Sequence, residues 1–142
     1  MKISESVFAA ITDINQDSPF TLRVRGQCMV PVICCGAEVV VTRKKNYLPG
    51  DIIVFRSRDG TLLAHRLLAI YRKDGIWKAL AKPDRSERSD AAVAVRDILG
   101  HIRVSGGIPV IHRLESLRVG LFILLKSGWR KMRPRQLPLI NN

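Results

Sequence analysis

Between Phe20 and Val104 the chain is cut into short stretches by turn signals: Gly26, Pro49-Gly50-Asp51, Arg58-Asp59-Gly60 and Lys73-Asp74-Gly75. Turns roughly ten residues apart leave little room for packed helices and suit short strands. The stretches between them have strand character. Phe20 to Arg25 alternates, with Phe20, Leu22 and Val24 on one face and Thr21, Arg23 and Arg25 on the other. Glu38 to Thr42, Ile52 to Arg56, Thr61 to Tyr71, Ile76 to Ala81 and Ile98 to Val104 supply further strands. Many short strands with glycine turns predict an all-β barrel or sandwich. Residues 82 to 92 read as a polar loop, Gly106-Gly107 ends the last strand, and no internal repeat is visible.

Both ends differ from this middle. Ser4 to Ile14 has Val7, Phe8, Ile11 and Ile14 at helical spacing, with Ser4 placed to cap the helix. Glu115 to Lys131 predicts a second helix, with Leu117, Leu121, Leu124 and Leu125 on one side and Trp129 near its end. Arg118, Lys126, Arg130, Lys131, Arg133 and Arg135 surround that stripe. Two readings of this helix stand open: an interfacial helix lying on an anionic membrane, or a terminal helix packed on the barrel with a solvated basic face. Pro134 and Pro138 predict an extended end. The chain thus divides into a β domain with a short N-terminal helix over 1–112 and a basic amphipathic tail over 113–142.

Charge narrows the partners. The 24 basic and 12 acidic residues give a net charge of +12. That balance favours an anionic partner: nucleic acid, a membrane surface or an acidic peptide. Aromatics are only 6% of the chain, too few for a base-stacking platform, and the 19 residues before the first strand cannot hold a helix-turn-helix. Nucleic acid is therefore the least favoured of the three. The cysteines, Cys28, Cys34 and Cys35, are an odd number with two adjacent, which is a poor disulfide framework. No CxxC pair or Cys/His metal spacing occurs, so no metal or other cofactor is expected. Ser4, Glu5, Thr12 and Asp13 interrupt any N-terminal apolar run, so no signal peptide is expected, and no stretch approaches the ~18 apolar residues that span a bilayer. A reducing, cytoplasmic setting follows, with peripheral contact at the inner membrane if the tail helix is interfacial.

The chemistry concentrates at three places. Cys28 lies just past the first strand, in Gly26-Gln27-Cys28-Met29-Val30-Pro31, where a nucleophile can be exposed and held rigidly. His65 lies within a strand, in Ala64-His65-Arg66. Asp84 and Asp90 lie in the loop that follows the next strand. A nucleophile, an imidazole and a carboxylate are the parts of a triad. Each also has a plain structural reading: a small buried thiol, a strand histidine and solvated loop carboxylates. His101 and His112 read as structural or solvated, and Cys34 and Cys35 as buried neutral thiols beside apolar Val32-Ile33.

Five segments, in order, resemble the signal-peptidase and LexA-like peptidase superfamily. Gly26-Gln27-Cys28-Met29-Val30-Pro31 is similar to its Gly-x-Ser-Met-x-Pro box, with Cys in place of Ser. Pro49-Gly50-Asp51-Ile52-Ile53-Val54-Phe55 resembles its Pro-Gly-Asp strand. Ala64-His65-Arg66-Leu67 resembles the His-Arg box of the archaeal and endoplasmic-reticulum signal peptidases, in which His replaces a general-base Lys. Lys82-Pro83-Asp84 with Asp90 resembles that branch's Lys-Gly-Asp segment and its second Asp, and Leu99-Gly100-His101-Ile102 resembles the closing strand. The resemblance implies a small coiled β-barrel with Cys28 as nucleophile and His65 as general base. It implies Asp84 as the residue that orients His65, with Asp90 a second candidate. Gly26, Gln27, Met29 and Pro31 would then contact an extended peptide or precursor-protein substrate. Three positions depart from the pattern: Cys28 for Ser, Gly26 where several signal peptidases carry an oxyanion-stabilising Ser, and Pro83 for Gly.

Two functions follow as expectations. One is an endopeptidase that processes a peptide or precursor through a thiol nucleophile. The other is an inactive peptide-binding module on the same fold.

Overall fold

The computed structural model of the chain describes residues 2–103 and 110–131, with the side chains at 15–17, 110–112 and 127–131 left out. Among the described residues seven strands form one antiparallel sheet: β1 (Phe20–Arg23), β2 (Glu38–Thr42), β3 (Ile52–Arg56), β4 (Leu62–Lys73), β5 (Ile76–Lys82), β6 (Val93–Ala94) and β7 (Ile98–Ile102). Their order across the sheet is β1-β2-β7-β3-β4-β5-β6. The sheet curls into a half-barrel, flanked by helix α1 (Glu5–Asp17) and helix α2 (Val110–Lys131). The all-β expectation is met.

β3 is the centre of the molecule. Ile52, Ile53, Val54 and Phe55 are all buried to 2% exposure or less. Such a continuous apolar run suits a strand covered on both faces. Alternation sends Ile52 and Val54 to one core cluster, with Phe8, Met29, Ile33, Val41, Leu99 and Ile102. Ile53 and Phe55 go to a second cluster with Leu67, Ala79, Ala81, Val93 and Ile98. Emptying such a position, as in Phe55→Ala, costs about 3–5 kcal/mol in a typical core.

Local chemistry fixes the ends of the elements. Ser4 Oγ accepts from the Val7 N–H and caps α1. The helix buries Phe8, and the Arg56 guanidinium lies over that ring at 4.8 Å. At β7, a Cβ on Gly100 would stand 2.8 Å from the Thr42 carbonyl oxygen. That glycine lets β7 press against β2. The Val93–Ala94 strand and a 3-10 turn at Val95–Asp97 carry no strong sequence signal, because two residues show no period. Gly106-Gly107 and the extended end at Pro134 and Pro138 lie outside the described residues.

α2 packs on β4 in an unexpected way. Its inward side presents Arg113, Ser116 and Gly120 rather than the leucine stripe. A Cβ on Gly120 would come within 2.6 Å of the Leu68 carbonyl oxygen, so helix and strand backbones touch there. Arg113 Nη1 donates to the Pro49 carbonyl at 3.3 Å, and its Nη2 faces Asp51 Oδ1 at 3.2 Å.

Candidate active site

Cys28 sits on the long connection between β1 and β2. Main-chain bonds close the neck of this loop: Val24 N–H to Ala37 O at 2.9 Å and Gly36 N–H to Val24 O at 2.9 Å. Gly26 enters the loop at φ +92° and Gly36 leaves it at +85°, both in the left-handed region that favours glycine. Met29 and Ile33 plug the loop into the first core cluster, and Ile33 N–H bonds back to Met29 O at 2.9 Å. Cys28 is thereby held half-buried beside a fixed anchor. The Cys28 N–H has no acceptor among the described residues.

This geometry corrects two expectations. Met29 is only 1% exposed, so it anchors the loop from inside and offers no surface to a substrate. Cys34 and Cys35 are exposed, not buried, because Ile33 alone of that segment turns inward. Gly26, Gln27 and Pro31 are at the surface.

β4 carries the other half of the site. β5 ends at Lys82, opposite Arg66. Beyond that point Leu62 to His65 pair with β3 on one side and, among the described residues, with no strand on the other. The 83–90 loop reaches into this notch. Its neck closes where Asp90 N–H donates to Ala81 O at 2.9 Å. Asp90 Oδ2 lies 2.6 Å from His65 Nδ1. The His65 side chain is 7% exposed, and its ring meets Phe55 edge-on with centroids 6.1 Å apart.

The carboxylate on His65 is therefore Asp90. Asp84 is held elsewhere: its two oxygens accept from Arg66 Nε at 2.8 Å and Nη2 at 2.7 Å. Arg66 Nη1 also donates to Gly50 O at 3.0 Å. A guanidinium fork matches a carboxylate in two bonds, where an imidazole offers one, so Arg66 takes the nearer acid. The expected Asp84 to His65 contact is replaced by this pair.

The same loop touches the Cys28 segment. Arg85 N–H donates to Cys28 O at 3.1 Å, and Arg85 Nη1 donates to Gln27 Oε1 at 3.2 Å. One short loop thus joins the Cys28 segment and the His65 carboxylate. Among the described residues no hydrogen bond links Cys28 to His65 directly. The Cys28 loop packs on the first core cluster while His65 faces Phe55 of the second. The wide cleft of about 730 Å³ beside Tyr47, Ile70 and Trp77 contains none of these residues.

Sequence reasoning missed Asp51. It is 1% exposed, accepts from the Leu48 N–H and from Lys44 Nζ, each at 3.0 Å, and faces Arg113 as an ion pair out of line for a hydrogen bond. Burial pushes its carboxyl up, but the Leu48 N–H, Lys44 and Arg113 outweigh it and hold the carboxyl below its ordinary value. The signal was the Pro-Gly-Asp turn itself, where an Asp opens a fully apolar strand. His101 Nδ1 lies 2.8 Å from the Thr42 carbonyl oxygen, a structural role. The His112 side chain lies outside the described residues.

An antiparallel half-barrel with a Gly-x-x-Met-x-Pro segment on its first long loop places the chain among the LexA and signal-peptidase-like proteins. Residues 1–77 match the family model described as Peptidase S24-like, more than half of the 142 residues, and the chain belongs to that family. The matched region holds Cys28 and His65 and ends before Asp84 and Asp90. Comparison with curated proteins finds no match.

Proposed function

We propose that the protein is an endopeptidase acting on an extended peptide or precursor protein, with Cys28 as nucleophile, His65 as general base and Asp90 as the residue that orients it. The observation that carries this reading is the 2.6 Å contact between buried His65 and Asp90, on a loop also bonded to the Cys28 carbonyl. A carboxylate on Nδ1 favours the tautomer with the proton there, which leaves the Nε2 lone pair to take a proton from a thiol.

The chemistry then follows in two steps. The Cys28 sulfur, its proton passed to His65 Nε2, attacks the scissile carbonyl carbon and forms a C–S bond. The Cys28 N–H, without an acceptor of its own, is available to the developing oxyanion. Collapse breaks the C–N bond, and His65 delivers its proton to the leaving amine. Water, losing a proton to His65, attacks the thioester, and the acid and the free thiol are released. The substrate lies extended along β1, which among the described residues pairs with β2 alone and so offers a free edge leading to Cys28.

A second reading, a peptide-binding module without turnover, is favoured by two observations: no bond joins Cys28 to His65, and the two pack on different core clusters. Active-site bonds often tighten only when substrate arrives, so the peptidase reading remains preferred. The experiment incubates the protein with a library of unstructured peptides and follows cleavage and intact protein mass. Cleavage together with an acyl adduct on Cys28, both lost in Cys28→Ala, is the expected result. Peptide capture without products, equal in wild type and Cys28→Ala, would replace the peptidase with the binding module.

A further inference from the structure

α2 has one face that the fold does not use. Arg113, Ser116 and Gly120 turn toward β4 and the Pro49-Gly50-Asp51 turn. On the opposite side Leu114, Leu117, Leu121, Phe122 and Leu125 are between 50% and 65% exposed. At about 100° per residue these five fall within one arc of about 140°, with Arg118 inside that arc. Leaving five large apolar side chains exposed on one helix face is uncommon for a monomeric surface and marks a contact site.

Charge identifies the occupant. Arg118 and Lys126 are exposed on this helix, and the sequence continues with Arg130, Lys131, Arg133 and Arg135. From residue 110 to residue 135 Glu115 is the one acidic side chain. An apolar face that carries Arg118 within it and Lys126 at its edge complements an anionic lipid surface, with acyl chains taking the leucines and the long cationic side chains reaching up to the headgroups. A second copy of this chain is a poorer match, because a symmetric contact would bring the same cations together. No helix among the described residues is long and apolar enough to cross a membrane, so α2 would lie along the surface.

We propose that α2 docks the protein on anionic phospholipid bilayers through Leu114, Leu117, Leu121, Phe122 and Leu125, with Arg118 and Lys126 at the headgroups. The helix is seated for this by its glycine side. The backbone contact of Gly120 with Leu68 and the reach of Arg113 to Asp51 hold it with the stripe outward. This docking is independent of whether Cys28 is a nucleophile.

The test is sedimentation of the full chain with vesicles of phosphatidylcholine alone or mixed with phosphatidylglycerol at about three to one. Binding to the mixed vesicles at least tenfold stronger than to the neutral ones, weakened by added salt, is expected. The doubly substituted Leu121→Ser, Phe122→Ser protein should lose that binding at least tenfold while keeping its circular dichroism spectrum and melting temperature, since both side chains are exposed. Equal binding to both vesicle types, or binding unchanged by the double substitution, would overturn the proposal. So would a dimer in light scattering that the double substitution dissolves while vesicle binding is unaffected.

Discussion

His65 and Arg66 are neighbours on β4, and each holds one carboxylate of the same loop, yet the two pairs are built for different work. His65 is buried against Phe55 and meets Asp90 through a single ring nitrogen. Arg66 grips Asp84 through two bonds and Gly50 through a third. A guanidinium keeps its charge at any pH a protein meets, so the Arg66 pair is a permanent clamp. An imidazole that gives one nitrogen to a carboxylate has a second nitrogen to use. The adjacent positions point to opposite faces of the strand, and the loop reaches both because β5 stops opposite Arg66. One loop therefore carries the acid of the Arg66 clamp near its start and, at its end, the acid to which the proposed mechanism gives a role.

This contrast predicts separable consequences. His65→Ala should lower peptide cleavage by about a thousandfold, roughly 4 kcal/mol of barrier, with a smaller change in unfolding free energy. Steady-state kinetics beside urea unfolding would measure both. Exchanging the two acids sharpens the point. Asp90→Asn should cost about a hundredfold or more in kcat, because the amide no longer favours the useful tautomer. Asp84→Asn should leave kcat within a few-fold of the wild type when assayed below its lowered melting temperature. If the two substitutions had the opposite ranking, the assignment of roles would be reversed. Arg66→Met should destabilise the fold by about 2–4 kcal/mol, since it frees a half-buried carboxylate and a turn carbonyl together.

The smallest effect concerns a histidine outside the site. Burial holds His101 below its ordinary value, more than the Thr42 carbonyl raises it. With the folded value depressed, the unfolded chain takes up the proton first as pH falls. Stability from this group is complete above the ordinary value of 6.5 and declines as pH drops through it toward the folded value. Asp51, also depressed, contributes above the ordinary carboxylate value of 3.8 and is lost as pH falls through its folded value. Urea midpoints between pH 7 and pH 5 should fall slightly in the wild type and flatten in His101→Asn.

Much of the fold was legible because its signals are local. Pro49-Gly50 and Asp74-Gly75 force turns wherever they occur, and β2 and β3 follow from apolar runs between such turns. Ser4 announced α1 four residues before its first buried aromatic at Phe8. The two residues of β6 had no period to read. The partner of His65 was illegible for another reason. Which end of a loop crosses which face of a strand depends on where the neighbouring strand stops, and Lys82 carries no mark of that. Arg66 was visible in the sequence, but its competition for Asp84 appears only once both lie in one notch. α2 misled in the same way: leucine spacing identified a helix, while the glycine and serine of its inward face revealed its seating only through contact with β4.

The central claim is that Cys28 and His65 act as one unit, and the alkylation rate of Cys28, resolved by peptide mapping, tests it most directly. Accessibility alone makes half-buried Cys28 the slowest of the three thiols, since Cys34 and Cys35 are exposed. The account predicts the reverse at neutral pH: Cys28 the fastest, slowed in His65→Ala and Asp90→Asn and unchanged in Asp84→Asn. Cys28 slower than both neighbours, and indifferent to His65, would contradict it.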